Sequence, residues 1–237
     1  MSLYYLRKNE FMESWVKRLK FYGIGFGIGL VFVAFFFQNR GCSWTPSNRV
    51  KNAVLDRLIV VSDKTASVMK VQGLDNNDIV RVLNDGAVDF GKSLKEGDSK
   101  IYIMKKEGVS YAFTLPYESF VSEVFITDEF NEARNSLTGF GNIIHYPNDE
   151  NMVYPDSSQL VSCQQEALGL ISPKDIFSLI KTSGRLDFSK TNFEQRPKAE
   201  HYIVFSQGED QVGCNVIWYK NKLNITAFKS EKTVACN

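Results

Sequence analysis

Residues 73–93 read GLDNNDIVRVLNDGAVDFGKS, and residues 169–191 read GLISPKDIFSLIKTSGRLDFSKT. Both stretches begin with Gly-Leu, continue with an Asp-Ile pair and a second apolar pair at helical spacing, and reach another glycine. Each then closes with the pattern apolar-Asp-Phe-x-Lys-Ser/Thr. A repeat of this kind indicates that one supersecondary unit has been duplicated. The alternative is chance similarity over a short stretch.

Each stretch predicts a helix that begins after a polar cap and ends at a glycine. In the first stretch Asp75 is the expected N-cap of a helix over residues 76–84, and Gly86 closes it. Another helix, over residues 64–72, ends at Gly73. Apolar runs with strand character follow at residues 100–104, 110–115 and 121–126. After the second stretch come the runs 212–219 and 223–228, and Tyr202-Ile203 matches Tyr102-Ile103.

The sequence therefore predicts an α+β fold built from two similar units, each with two helices against a small antiparallel sheet. The first unit covers residues 48–127 and the second covers residues 161–237. Between them, residues 128–160 carry Pro147, Pro155 and several glycines, which is typical of a linker. A strand over residues 142–146 is the one regular element that we expect there.

The first stretch also resembles an uncharacterised bacterial family of small α+β domains, domain-of-unknown-function family 4258. The residues that carry the resemblance are Gly73, Asp78-Ile79, Val82-Leu83, Gly86 and Val88. It covers residues 65–113, about a fifth of the chain. The resemblance implies the family's fold. The family's first helix carries a histidine and an arginine that the corresponding helix of this chain lacks, so the resemblance assigns no function to the chain.

An uncharged apolar run, FYGIGFGIGLVFVAFFF, occupies residues 21–37. As a helix it is about 25 Å long, close to the thickness of a bilayer core. We predict a transmembrane helix over residues 21–38. A buried core helix, a cleaved signal peptide and a lipoprotein signal before Cys42 are the alternatives. Because Gln38-Asn39-Arg40 is a poor cleavage context, we favour an uncleaved signal-anchor.

Basic residues are more numerous before the apolar run than after it. Arg7, Lys8, Lys17, Arg18 and Lys20 precede it, whereas Arg40, Arg49 and Lys51 follow. This bias predicts a cytoplasmic N-terminus and an exported C-terminal part in a bacterial inner (cytoplasmic) membrane. Residues 1–20 form either an amphipathic lead-in on the cytoplasmic surface or a continuation of the membrane helix.

Four glycines alternate within the apolar run, at Gly23, Gly25, Gly27 and Gly29. Two interleaved small-xxx-small spacings result, and such spacings let membrane helices approach closely. The pattern predicts a homodimer through the transmembrane helix. The alternative is that glycine is common in membrane helices.

Export makes the cysteines candidates for a disulfide bond. We expect one bridge among Cys163, Cys214 and Cys236, and the sequence does not choose the pair. Cys42 then stays free or pairs between chains.

The repeated Asp89/Lys92 and Asp187/Lys190 are the polar residues of greatest interest. They form either two binding sites, each with a carboxylate and an ammonium group, or two capped turns, and turn chemistry favours the second. The chain has two histidines, His145 and His201, so we predict no metal and no cofactor. We expect His201 to be a satisfied histidine rather than a catalytic base. The net charge of +1 argues against nucleic acid as a partner.

These patterns favour a membrane-anchored extracytoplasmic binding or interaction module of a bacterial envelope, with a protein partner and no catalytic activity. The first alternative is a small hydrolase or a degenerate nuclease-toxin relative that uses Asp89/Lys92 or Asp187/Lys190. The second is a structural subunit of a larger membrane complex.

Overall fold

The computed structural model of the protein describes residues 2–38, 45–116, 121–146, 153–219 and 222–236, with side-chain exposure in the first helix for residues 15–35. Two compact units make up the chain, residues 1–48 and residues 49–237. Cys42 lies outside the described residues, so the predictions about its pairing or lipidation stay predictions.

The N-terminal unit contains one long helix, α1, over Ser2–Gln38. Within it, Trp15–Phe35 is long and apolar enough to cross a membrane, and none of that segment is buried inside the protein. Phe21, for example, is 76% exposed. This exposure contradicts the alternative of a buried core helix. The predicted lead-in and the predicted span belong to the same continuous helix, as expected for a single-pass membrane protein.

The second unit is α+β, as predicted, and alternates short helices with strands. Its first half contains α2 (Pro46–Leu55), β1 (Leu58–Ser62), α3 (Asp63–Val71), α4 (Asn76–Asp85), β2 (Ala87–Leu94), β3 (Ser99–Lys106), β4 (Val109–Pro116), β5 (Val121–Ile126) and a 3-10 helix (Phe130–Glu132). Then follow β6 (Phe140–Ile143), β7 (Val153–Pro155), α5 (Gln159–Leu168), α6 (Pro173–Ser183), β8 (Arg185–Asp187), β9 (His201–Gln207), β10 (Asp210–Tyr219), β11 (Lys222–Lys229) and a 3-10 helix (Glu231–Cys236).

All eleven strands form one sheet, in the order β2-β3-β4-β5-β1-β6-β8-β9-β10-β11-β7. Most neighbours pair antiparallel. The exceptions are β1 with β5 and β7 with β11, which pair parallel. On one side of β6 the order is β2-β3-β4-β5-β1, and on the other side it is β8-β9-β10-β11-β7. In both halves, the strand that precedes a pair of helices lies parallel to the last strand of that half.

The helices of the two halves cover opposite faces of this sheet. On β1, Val60 packs into the core that contains Ile176 of α6, whereas its neighbour Val61 packs into the core that contains Ile79 of α4. Successive side chains of a strand point to opposite faces, so these two cores lie on opposite sides of the sheet. The single sheet therefore lies between two layers of helices, one on each of its faces.

The predicted division into two units joined by a linker differs from this arrangement. Residues 49–237 form one compact unit, and β6, inside the predicted linker, lies at the centre of the sheet between β1 and β8. The second half begins with β7 at Val153, before the predicted boundary at residue 161. The strand expected over residues 142–146 overlaps β6, which begins at Phe140. Strand β7 has three residues, too few for a period-two pattern to be recognised.

One glycine ends the second helix of each half: Gly86 follows α4, and Gly184 follows α6. The N–H groups of Gly86 and Gly184 donate to the carbonyls of Val82 and Ile180, at 2.8 and 2.7 Å. A Cβ atom at either glycine would lie 2.4 or 2.2 Å from that carbonyl oxygen. At such distances the helix end has to move.

We therefore expect Gly86→Ala and Gly184→Ala each to lower the free energy of unfolding by about 1–3 kcal/mol, as overpacking does elsewhere. Gly91→Ala is the matched control, because its Cβ would make an ordinary 3.4 Å contact with Asp89. Chemical denaturation of the full-length protein in detergent measures all three. Equal losses in the control and the two variants would contradict the steric explanation.

Candidate functional site

The first copy of the Asp-Phe-x-Lys-Ser/Thr motif forms a capped bulge in β2. Asp89 Oδ1 accepts hydrogen bonds from the N–H groups of Gly91 and Lys92, both at 3.1 Å. The Ser93 hydroxyl donates to the carbonyl of Asp89 at 2.6 Å and accepts from the N–H of Ile103 at 3.0 Å. The hydroxyl therefore fastens the bulge to β3.

The second copy repeats this geometry at the end of β8. Asp187 Oδ1 accepts from the N–H groups of Ser189 and Lys190, at 3.0 and 3.3 Å. The Thr191 hydroxyl donates to the carbonyl of Asp187 at 2.7 Å and accepts from the N–H of Tyr202 at 3.2 Å. In both copies the aspartate caps a turn, which is the structural alternative that turn chemistry favours.

The two motifs lie far apart, so no single cleft contains both. β2 is the first strand of the sheet and β8 is the seventh, and six strand spacings correspond to about 29 Å. A hydrogen bond from Lys105 Nζ, at 2.7 Å, and backbone N–H donors hold the pKa of Asp89 below its ordinary value. Because such a carboxyl group stays ionised, it is a poor general acid.

The lysines of the two motifs have different partners. Lys92 forms an ion pair with Asp128, which belongs to the segment after β5. Lys190 lies 3.7 Å from Asp187 of its own turn and 5.0 Å above the ring of Tyr202. Lys229 lies over the same ring at 6.0 Å. Sequence similarity alone did not predict this difference.

Around the buried ring of Tyr202, strands β9, β10 and β11 present a polar surface of half-buried side chains, which we call the β9–β11 face. It lies on the side of the sheet opposite α5 and α6, because Ile203 and Val216, on the other side, belong to their core. Glu200 there accepts hydrogen bonds from Asn215, at 3.0 Å, and from Thr226.

The far end of the β9–β11 face carries a second tyrosine between two lysines. Lys198 and Lys222 lie over the ring of Tyr219, at 4.3 and 4.6 Å from its centroid. Desolvation lowers the pKa of Lys198, and the nearby positive charges of Arg57 and Lys222 lower it further against the opposing effect of Asp56. This end of the face therefore carries two lysines with a carboxylate, Asp56, nearby.

His201 is not the satisfied histidine that we predicted. It lies opposite Val216, is fully buried, and neither ring nitrogen has a hydrogen-bond partner within the described part of the chain. Burial lowers its pKa to about 3. The apolar surroundings on that side of the sheet explain both observations. The described residues hold no cluster of three or more histidine, cysteine or acidic side chains that would bind a metal ion.

Of the three cysteines in residues 49–237, Cys163 and Cys236 form a disulfide bond. A bridged Cys163 has no free thiolate, so it is not a nucleophile for His201. Cys214 is buried and unpaired, and burial raises the pKa of its thiol. The disulfide selects one of the pairings that the sequence left open.

The four glycines of α1 that are predicted to form the dimer contact have space beside them in the single chain. A Cβ atom placed at Gly23, Gly25, Gly27 or Gly29 meets nothing within 4 Å. The homodimer through the transmembrane helix stays a prediction.

A shallow cleft of about 380 Å³ lies between α3 and the end of β5. Its polar side chains are those of one acid, one lysine and two threonines, and the Thr127 hydroxyl donates a hydrogen bond to Glu132 at 2.6 Å. The lining residues are Lys64, Thr65, Val68, Phe125, Ile126, Thr127 and Glu132.

No protein-family model, curated protein or solved structure matches this chain. The resemblance to family 4258 therefore stays a prediction.

Proposed function

We propose that this chain is a membrane-anchored interaction module whose C-terminal part is exported from a bacterial cytoplasm and binds a protein partner. The observation that carries the proposal is the Cys163–Cys236 disulfide in a chain that also contains an apolar, exposed helix. Disulfide bonds persist in oxidising compartments and are rare in the cytoplasm. The excess of basic residues before the helix supports a cytoplasmic N-terminus.

We also propose that the sheet arose by internal duplication. The same strand order on both sides of β6 supports this, as does the parallel pair in each half. The Asp89 and Asp187 turns share their hydrogen bonds atom for atom. Gly86 and Gly184 end corresponding helices. Duplication gives the two halves of the sheet related surfaces, so one of them can acquire a binding role while the other keeps its structural role.

Binding fits the described side chains better than hydrolysis does. The aspartates cap turns, Cys163 is bridged and His201 is enclosed in the core. Among the described residues, the β9–β11 face combines tyrosine rings with exposed lysines at both of its ends. Such a surface suits recognition of a charged partner.

A membrane-impermeant, amine-reactive crosslinker applied to spheroplasts tests both parts of the proposal. We expect it to join lysines of the soluble part to a neighbouring envelope protein, because those lysines face the outside. A cytoplasmic protein of the same cells is the control and should stay unmodified. A chain that the reagent does not reach contradicts the topology. A chain that is modified and never crosslinked contradicts the interaction.

A further inference from the structure

In the first half of the sheet, the chain's own acidic segment covers the face opposite α3 and α4. This segment, residues 127–136, reads TDEFNEARNS. Its Phe130 and Ala133 pack against Ile101, Ile103 and Ala112. Asp128 pairs with Lys92 at one end, and at the other end the N–H of Ser136 donates to buried Glu123 at 2.6 Å. An acidic segment with an aromatic anchor is therefore a ligand that this kind of sheet face already accepts.

Pairing registers identify the same face in the second half. Leu94 pairs with Ile101 after the first bulge, and Asn192 bridges to Glu200 after the second. The turn hydroxyl of each half accepts from Ile103 or from Tyr202. Lys190 thus corresponds to Lys92, and Tyr202 corresponds to Ile103. The β9–β11 face is the counterpart of the covered face.

No segment within the described residues covers this second face. Polar side chains stand where the first half has apolar ones, and two clusters of one tyrosine and two lysines mark its ends. The first cluster is Tyr202 with Lys190 and Lys229, and the second is Tyr219 with Lys198 and Lys222.

We propose that the β9–β11 face binds an extended acidic polypeptide segment of the partner, with one carboxylate at each lysine–tyrosine cluster. The inference rests on the proposed function and adds the chemistry of the partner. At the Tyr202 cluster Asp187 lies 3.7 Å from Lys190 and offsets part of the repulsion between the two ammonium groups, and a carboxylate of the partner beside Lys229 offsets the rest. The tyrosine rings hold the lysine stems in place by cation–π contact.

The spacing of the clusters sets the spacing of the ligand's charges. Tyr202 lies opposite Asn215 on β10, and Tyr219 lies four residues farther along that strand. Four residues of an extended chain span about 13 Å. A peptide with acidic side chains at positions i and i+4 therefore reaches both clusters.

A polypeptide explains the surface better than a lipid surface or a nucleic acid does. Between the clusters lie Asn215, Asn224 and Thr226, which are neutral groups that suit peptide hydrogen bonds. Glu200 also lies there, and its negative charge would repel a continuous row of phosphates. The covered face of the first half shows that the fold accommodates a peptide in this position.

The test measures binding of a fluorescein-labelled peptide, TDEFNEARNS, to the full-length protein in neutral detergent by fluorescence anisotropy. We expect saturable binding that weakens as salt rises, because the contacts are ionic. The double variant Lys190→Glu, Lys229→Glu should raise Kd at least tenfold. The matched control Lys70→Glu, Lys181→Glu makes the same change of net charge on exposed helix residues and should leave Kd within twofold.

Gly213→Ala separates a shaped site from a merely charged surface. A Cβ atom there would lie 2.0 Å from the Tyr202 hydroxyl and would push the ring aside without a change in charge. We expect Kd to rise several-fold, with the thermal unfolding temperature measured in parallel to show that the variant is folded. An unchanged Kd in a folded variant overturns the role of Tyr202.

Competition decides the class of ligand. Anionic phosphatidylglycerol vesicles and single-stranded DNA at equal charge concentration should displace the peptide weakly. If either binds more tightly than the peptide, or if both pairs of lysine variants lose binding equally, the polypeptide proposal is overturned. Crosslinking to a partner in membranes together with no peptide binding would retain the proposed function and overturn this inference alone.

Discussion

Replacing Cys163 by serine lowers the free energy of unfolding of residues 49–237 by about 2–5 kcal/mol, as loss of a native disulfide does in small secreted domains. Cys163 lies in α5 and Cys236 lies in the last 3-10 helix, 73 residues farther along the chain. The bridge closes a loop that contains most of the second half of the sheet. Its loss restores to the unfolded chain the freedom that the bridge removes. Denaturant titration of the full-length protein in detergent, with near-ultraviolet circular dichroism as the signal, measures the difference.

A reductant supplies the control for the Cys163→Ser variant. Dithiothreitol should destabilise the wild-type protein by a similar amount and leave the variant unchanged. Cys214 should resist iodoacetamide in the native state, because it is buried and the pKa of its thiol is raised. A wild-type protein that is equally stable with and without reductant would show that the bridge does not stabilise the fold.

The helices were predictable because their end signals are local. Asp75 was expected to begin a helix, and its side chain accepts from the N–H groups of Asn77 and Asp78 while Asp78 bonds back to the N–H of Asp75. Gly73 ends the preceding helix with a positive φ of 69°. Such signals lie within a few residues, so a single sequence contains all the information that they need.

The strands β2 and β8 were not predicted, because both contain residue types that are typical of turns. Asp89 and Ser93 are typical turn residues, yet they belong to a bulged strand whose hydrogen bonds reach β3. The same bulge shifts the match between the two halves. The sequence aligns Tyr102 with Tyr202, whereas the registers pair Ile103 with Tyr202. A one-residue shift moves a side chain to the opposite face of a sheet, so it decides which residues can form a site.

The lysine–tyrosine clusters depend on pairing between distant strands. Lys190 and Lys229 meet at Tyr202 because β8, β9, β10 and β11 are adjacent in the sheet. The repeated motif makes Lys190 equivalent to Lys92, yet the two lysines have different partners. The repeat therefore locates Lys190 in the sequence, whereas the pairing of the strands determines which side chains surround it.

His201 makes the fold more sensitive to acid than its carboxyl groups alone would. In the folded protein burial lowers the pKa of His201 to about 3, whereas in the unfolded chain a histidine titrates near 6.5. Below pH 6.5 the unfolded state binds a proton that the folded state does not, so stability is present above that pH and is lost as pH falls toward 3. Between pH 7.5 and pH 4.5 this loss amounts to about 3 kcal/mol.

Replacing His201 by leucine should remove that loss and also stabilise the protein at neutral pH, because two buried nitrogens without partners disappear. The comparison is cleanest in a His145→Gln background, where His201 is the one remaining histidine of the chain. Urea titrations of both proteins, with histidine or leucine at position 201, at the two pH values give four free energies of unfolding. The contribution of the carboxyl groups to the pH dependence is the same in both proteins, so it cancels when their pH dependences are subtracted. If the pH dependence is the same with histidine and with leucine at position 201, the ring is hydrated or protonated in the folded protein, and the closed core around β9 and β10 is wrong.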